Sequence, residues 1–275
     1  MSYKTVMVSL ALDRPNEACL AVAGDLAERF EARVIGIAAS DVKPPLYFAD
    51  GGYAQKFLDE EATAVRSRLS ELEAEFRHSL EKRVRSVEWR SVQALPTPYI
   101  LQQARAADIL VVGARSEAIV DPCAAADPSD LVMQAGRPII VVPPTAQWLD
   151  FRSVLVAWKD VKEARRAVFD ALPMLARARD VTIAEIPEAG VRRADAVSHV
   201  KDVAAWLHGH GIVASTVVPE SEAAAPGQID RIAADVGAGA VIAGAYGHSR
   251  LREWILGGVT RHLATESRRC AFLSH

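Results

Sequence analysis

The residue types and spacings best suited to chemistry fall near the C-terminal end, in the string GAYGHSRLREWILGGVTRHL, residues 244–263. Gly244 and Gly247 remove Cβ atoms where a backbone must approach a ligand or take a positive φ. Gly257 and Gly258 precede a predicted helix from about Val259 to Ser267, whose first N–H groups have no intrahelical partner. Those N–H groups, with the helix dipole, favour an anion such as a phosphate. The Thr260 hydroxyl adds a donor, and His248, Arg250 and Arg252 put positive or titratable charge beside the same loop. Phosphate binding is the chemistry this string can do. Elsewhere no Ser–His–Asp order or carboxylate pair reads as catalytic. His199, His208 and His210 share one helix at spacings that do not converge on a metal, and His262, four residues before Glu266, reads as a surface helical contact.

These residues need elements to hold them. The run TVMVSLAL (5–12) is apolar nearly throughout, as strands buried on both faces of a parallel sheet are. Apolar residues at helical spacing follow over 16–30, then the strand ARVIGIAA, then a long charged helix over 58–83 with Ala62, Val65, Leu69, Leu72, Phe76 and Leu80 on one face. VEWRSVQA, a short helix near 99–106, DILVVGA and PIIVVPP complete five strands. Near Trp148 the pattern restarts with SVLVAW, a helix over 162–178, VTIAEI, a helix over 194–211, IVASTVVPE, a helix near 229–236, AVIAGA and CAFLSH. Alternating strands and helices imply βαβ units in a parallel sheet.

The restart is a duplication. KTVMVSL matches RSVLVAW, and ADILVVGARS matches GAVIAGAYGH, so Gly113 pairs with Gly244 and Ser116 with Gly247. The boundary falls in PPTAQWLDF, giving domains 1–147 and 148–275.

Composition excludes much else. Of 275 residues 50 % are apolar and 24 % charged, with 16 Gly and 14 Pro, which leaves out collagen and low-complexity disorder. A formal charge of −3 favours neither nucleic acid nor an acidic membrane, and no apolar run reaches membrane-spanning length. Three scattered cysteines, with Cys19 and Cys270 on apolar faces and Cys123 in a polar stretch, form neither a disulfide framework nor a zinc site. The expectation is a soluble protein of the reducing cytoplasm, without a secretory leader.

The string from Gly244, lying between a fourth strand and a closing helix and strand, resembles the signature of the universal stress protein family, G-x2-G-x9-G-[S/T]. Gly244, Gly247 and Gly257 match its spacing, and Val259 and Thr260 match the V-[S/T] that commonly follows. The resemblance implies an α/β fold of two tandem five-stranded parallel-sheet sandwich domains, adenine nucleotide alpha hydrolase-like, packed through their final strands as an internal pseudo-dimer. A further homodimer is left open. It also implies a stress-response protein that binds ATP or another adenine nucleotide, with Mg accompanying it, and hydrolyses it slowly or not at all.

Departures from the pattern concentrate at the ends of the site. Gly258 stands where the family has Ser or Thr, which removes a phosphate-binding hydroxyl. Lys159 stands where ATP-binding members carry an Asp after the first strand, and a Lys accepts no hydrogen bond from a ribose hydroxyl. Asp160 substitutes for it if the turn shifts by one residue. The first half has lost more: Ser116 replaces the second glycine, and CAAADPSD holds none. Asp13 and Ala11 compete there for the nucleoside position, and Ser129 for the hydroxyl. The first half therefore reads as a nucleotide-free copy. The competing function is a nucleotide-independent interaction or scaffold module of the same fold.

Overall fold

Short runs of Val, Ile, Leu and Ala become the central strands, because such residues pack on both faces of a pleated surface. The computed structural model describes residues 2–43, 51–114, 121–188, 190–220, 225–245 and 258–275, with the backbone alone over 51–54. The strands are β1 (Thr5–Ser9), β2 (Arg33–Ser40), β3 (Val87–Gln93), β4 (Ile109–Gly113) and β5 (Ile139–Val142), then β6 (Ser153–Trp158), β7 (Asp180–Glu185), β8 (Ala214–Val217), β9 (Ala240–Gly244) and β10 (Cys270–Ser274). The helices are α1 (Glu17–Phe30), α2 (Gly51–Leu80), α3 (Pro96–Gln103), α4 (Pro128–Gln134), α5 (Lys162–Asp170), α6 (Leu172–Leu175), α7 (Arg193–Gly209), α8 (Ala225–Asp235) and α9 (Gly258–Thr265).

All ten strands join one sheet in the order β3-β2-β1-β4-β5-β10-β9-β6-β7-β8. The order reads the same from either edge: each run of five is laid out 3-2-1-4-5, and the two runs meet at β5 and β10. That junction is antiparallel, with Ile140 opposite Phe272. Within each run the pairings are parallel. Alternation along the strands divides the core into two layers. Val6, Val8, Val154 and Val156 face α1, α2, α5 and α7 through Leu26, Phe76, Val168 and Val200. Met7, Leu110, Leu155 and Val241 face α3, α4, α8 and α9 through Ile100, Leu131, Ile229 and Leu263.

Three elements differ from the sequence reading. The predicted helix over 162–178 is broken into α5 and α6 at Ala171, where Pro173 lacks the N–H to continue the ladder. Helix α2 begins at Gly51 rather than near residue 58. Helix α4 is implied by the alternation of strands and helices but not placed by its residues; only seven long, it shows too little periodicity to read, yet Asp127 caps it by accepting the Ser129 N–H at 2.8 Å.

The two runs of strands are also tied by side chains. The Tyr3 hydroxyl, at the start of the first run, donates to the Asp170 carbonyl of α5 at 2.7 Å; the Asp170 carboxylate is itself held within the second run, accepting from the Ser274 hydroxyl at 2.7 Å. Phe30 on α1 stacks on Phe151, just before β6, with ring centroids 6.5 Å apart, and the Arg29 guanidinium lies over the Phe151 ring.

Candidate functional site

In an open parallel sheet, ligands sit outside the carboxyl ends of the strands where the strand order reverses. In the later run that point lies between β6 and β9. Gly244 ends β9, Lys159 and Asp160 follow β6, and Gly258, Val259 and Thr260 open α9. Gly247, His248, Arg250, Arg252 and Gly257 lie outside the described residues, so the structure places one part of the predicted loop and not the rest.

Gly244 has a role the sequence reading did not assign. A Cβ there would lie 2.4 Å from the Ala164 nitrogen and 2.5 Å from the Glu163 carbonyl carbon, both backbone atoms of α5. The glycine lets the first turn of α5 pack against the end of β9; it is needed by the fold before any ligand is considered. Gly113, its counterpart on β4, differs: a Cβ would sit 3.5 Å from the Cys19 Sγ, an ordinary contact.

The groups after β6 have partners. Lys159 Nζ pairs with Glu188, and Asp160 accepts from Arg165 of α5 at 2.5 Å. Thr260 is buried on the α9 face that also buries Leu263 and Ala264. Its hydroxyl thus belongs to the packed side of the helix rather than to open solvent. Gly258 is exposed, and a Cβ on it would stand 3.6 Å from Pro226 of α8, which leaves room for a serine. The first turn of α9 holds no acidic residue, so no carboxylate of that turn opposes the helix dipole.

Two histidines were underrated by the sequence. His262 is largely buried and bridges two helices, with Nε2 2.7 Å from Asp230 of α8 and Nδ1 3.1 Å from Glu266. His199 of α7 pairs through Nδ1 at 3.1 Å with Glu185, a buried carboxylate at the end of β7. Glu185 is in register with Trp158 on β6, whose indole N–H is buried with no hydrogen-bond partner. The His262–Glu266 contact follows from its i,i+4 spacing, but no periodicity reports His262–Asp230 or His199–Glu185, since each joins residues from different elements. Burial raises the Glu185 carboxyl above its ordinary value, against the pull of His199; Asp160 and Glu188 add to the rise. The hydrogen bond to Glu185 raises His199, with Asp160 and Asp195 contributing. Both groups bind protons more tightly folded than unfolded, so stability is lost as pH rises through their folded values. The His199 contribution is complete below its ordinary value near 6.5 and declines above it. Thermal unfolding should therefore fall in midpoint between pH 6 and pH 8, and Glu185→Gln should flatten that decline; an equal decline in the variant would assign it elsewhere.

The loop after β1 is closed on itself. Asn16, buried at the start of α1, accepts from the Ala11 N–H at 2.8 Å and donates back to the Ala11 carbonyl at 2.9 Å. Asp13 pairs with Arg14 at 2.9 Å, and Arg14 reaches across to the Ala114 carbonyl beyond β4. Ser116 lies outside the described residues. Cys19 and Cys270 are buried and Cys123 is partly exposed. Among the described residues no helix is long and apolar enough to cross a membrane, and no His, Cys, Asp and Glu side chains cluster to hold a metal ion.

This architecture has known counterparts. A universal stress protein from Archaeoglobus fulgidus DSM 4304 superposes with a TM-score of 0.70 at 15% identity, over 98% of this chain and 97% of its own. The chain has the universal stress protein fold. A functionally unknown protein from Pseudomonas aeruginosa PAO1 is also similar, with a TM-score of 0.61 at 13% identity, over 99% of this chain and 92% of its own. No protein-family model and no curated protein matches the sequence. The universal stress protein fold thus spans both runs of strands, with sequence identity too low to carry an activity across.

Proposed function

We propose that the chain is a tandem universal stress protein, of domains 1–147 and 148–275 packed as an internal pseudo-dimer, that binds ATP or another adenine nucleotide in the second domain. It acts through binding, with little or no hydrolysis, in the cytoplasm. The observation that carries this reading is the spacing Gly244, Gly247, Gly257, which starts at the end of β9 and leads into a helix whose first turn is free of acidic residues. The phosphates would lie on the Gly244–Gly247 turn and the N–H groups of Gly258, Val259 and Thr260. Lys159, His248, Arg250 and Arg252 supply charge, and Asp160, released from Arg165, supplies the acceptor for a ribose hydroxyl. Mg would accompany the phosphates.

Titration calorimetry with ATP and ADP tests this directly: one nucleotide bound per chain is expected, and no heat at millimolar nucleotide would end the proposal. Gly258→Ser restores a hydroxyl in a place with room for it and should tighten binding by about tenfold, the effect of one hydrogen bond to a charged group. Gly247→Val should abolish binding.

A second reading, a nucleotide-independent interaction module, is favoured by the engaged state of Lys159 and Asp160. A ligand that binds only the folded state must raise the melting temperature. Protein that purifies without nucleotide and melts at the same temperature with and without ATP would support this second reading.

A further inference from the structure

The first run of strands has its own reversal point, between β1 and β4, and beside it, over the ends of β1 and β2, the chain has supplied its own groups. The Leu12 N–H, just beyond β1, donates to the Ala124 carbonyl at 3.1 Å. The Asp41 N–H, just beyond β2, donates to the Cys123 carbonyl at 2.9 Å. Residues 123–124 thus lie across the carboxyl ends of two adjacent strands and use the backbone donors that face outward from them. Asp121 folds this segment. Its carboxylate accepts the Cys123 N–H at 3.0 Å and pairs with Lys43, while its carbonyl accepts from Ala124 and Ala125. Ala125 and Ala126 are buried, so the segment is packed down. It ends at Asp127, whose carboxylate caps α4, with Asp130 also in the first turn. The start of α4 thus carries carboxylates, whereas the first turn of α9 has none.

We propose that residues 121–127 are a built-in occupant of the first domain's cleft, a strap latched by Asp121, which closes that cleft to external ligands. The strap itself stands apart from the nucleotide reading; only the consequence of one site per chain rests on it. The strap covers the ends of β1 and β2, and Arg14 bonded to Ala114 spans β1 and β4. A mononucleotide seated there would have to displace both.

Hydrogen exchange on the full chain without nucleotide reads the strap directly. Protected Leu12 and Asp41 amides are expected; exchange at the rate of an unstructured peptide at both overturns the proposal. Cys123 offers a second readout, because Cys19 and Cys270 are buried. Asp121→Ala should speed Cys123 alkylation about tenfold, the scale of losing hydrogen bonds to a charged group, with the amides of β9 unaffected; an unchanged rate overturns the latch. ATP separates this proposal from the nucleotide reading. Slower exchange at Gly258–Thr260 with unchanged Cys123 alkylation supports both. Cys123 protected by ATP overturns the strap while leaving nucleotide binding standing. No ATP effect in either domain overturns the nucleotide reading alone, and the strap then stands or falls on the Leu12 and Asp41 amides.

Discussion

Gly244→Ala should destabilise the protein by about 3 kcal/mol or more, at the top of the range for overpacking, whereas Gly113→Ala should change stability by no more than about 1 kcal/mol. The two glycines end equivalent strands, and sequence alone treats them alike. The methyl group at 244 would meet the backbone of Glu163 and Ala164 at 2.4–2.5 Å, and a backbone cannot rotate aside as a side chain can. At 113 the neighbour is a cysteine sulfur at 3.5 Å. Urea unfolding of both variants checks the contrast. A Gly244→Ala protein of wild-type stability that had only lost nucleotide affinity would show that the residue serves the ligand and not the packing. If both effects occur, the stability loss persists at saturating ATP.

Phe151→Ala should cost about 3–5 kcal/mol, the usual toll for emptying a fully buried aromatic site, and lower the melting temperature on the order of 10 °C. Phe151 precedes β6, yet its ring packs on Phe30 of α1 and lies under Arg29, so its removal opens a hole between elements of the two runs. Tyr3, edge-on to Phe30 at 5.0 Å, and Arg177, stacked over the Phe30 ring, line the same region. Phe151→Leu, which keeps most of the volume, should recover much of the loss. A Phe151→Ala protein with an unchanged melting curve would mean that the domains derive no stability from this contact.

The elements were mostly legible because each is written in its own local pattern. The apolar run 5–12 and the spacing from Leu69 to Leu80 report burial on two faces or on one, and that is a property of a strand or helix by itself. The repeat of KTVMVSL as RSVLVAW was visible for the same reason. The position of helix α4 was not, since seven residues beginning at a proline carry too few turns for a period to emerge. The break at Ala171 was hidden by an apolar face that continues across it.

The candidate site is written in the sequence only in outline. Three glycines at the family's spacing, beyond a fourth strand, pointed to a loop at the carboxyl end of the sheet, and the eroded string CAAADPSD marked the first run as different. How it differs could not be read. That Ala124 and Cys123 turn their carbonyls onto Leu12 and Asp41, or that Glu185 meets His199, depends on atoms that are remote in sequence and adjacent only after the strands are ordered. The strands, the restart of their pattern and the glycine spacing could be read directly from the residues, because residue size and backbone freedom act locally. That Gly244 makes room for a helix, and that residues 123–124 lie over the ends of β1 and β2, emerged from the folded arrangement alone. Both follow from the distance between a helix or loop and the sheet beneath it, and the packing of the whole core sets that distance.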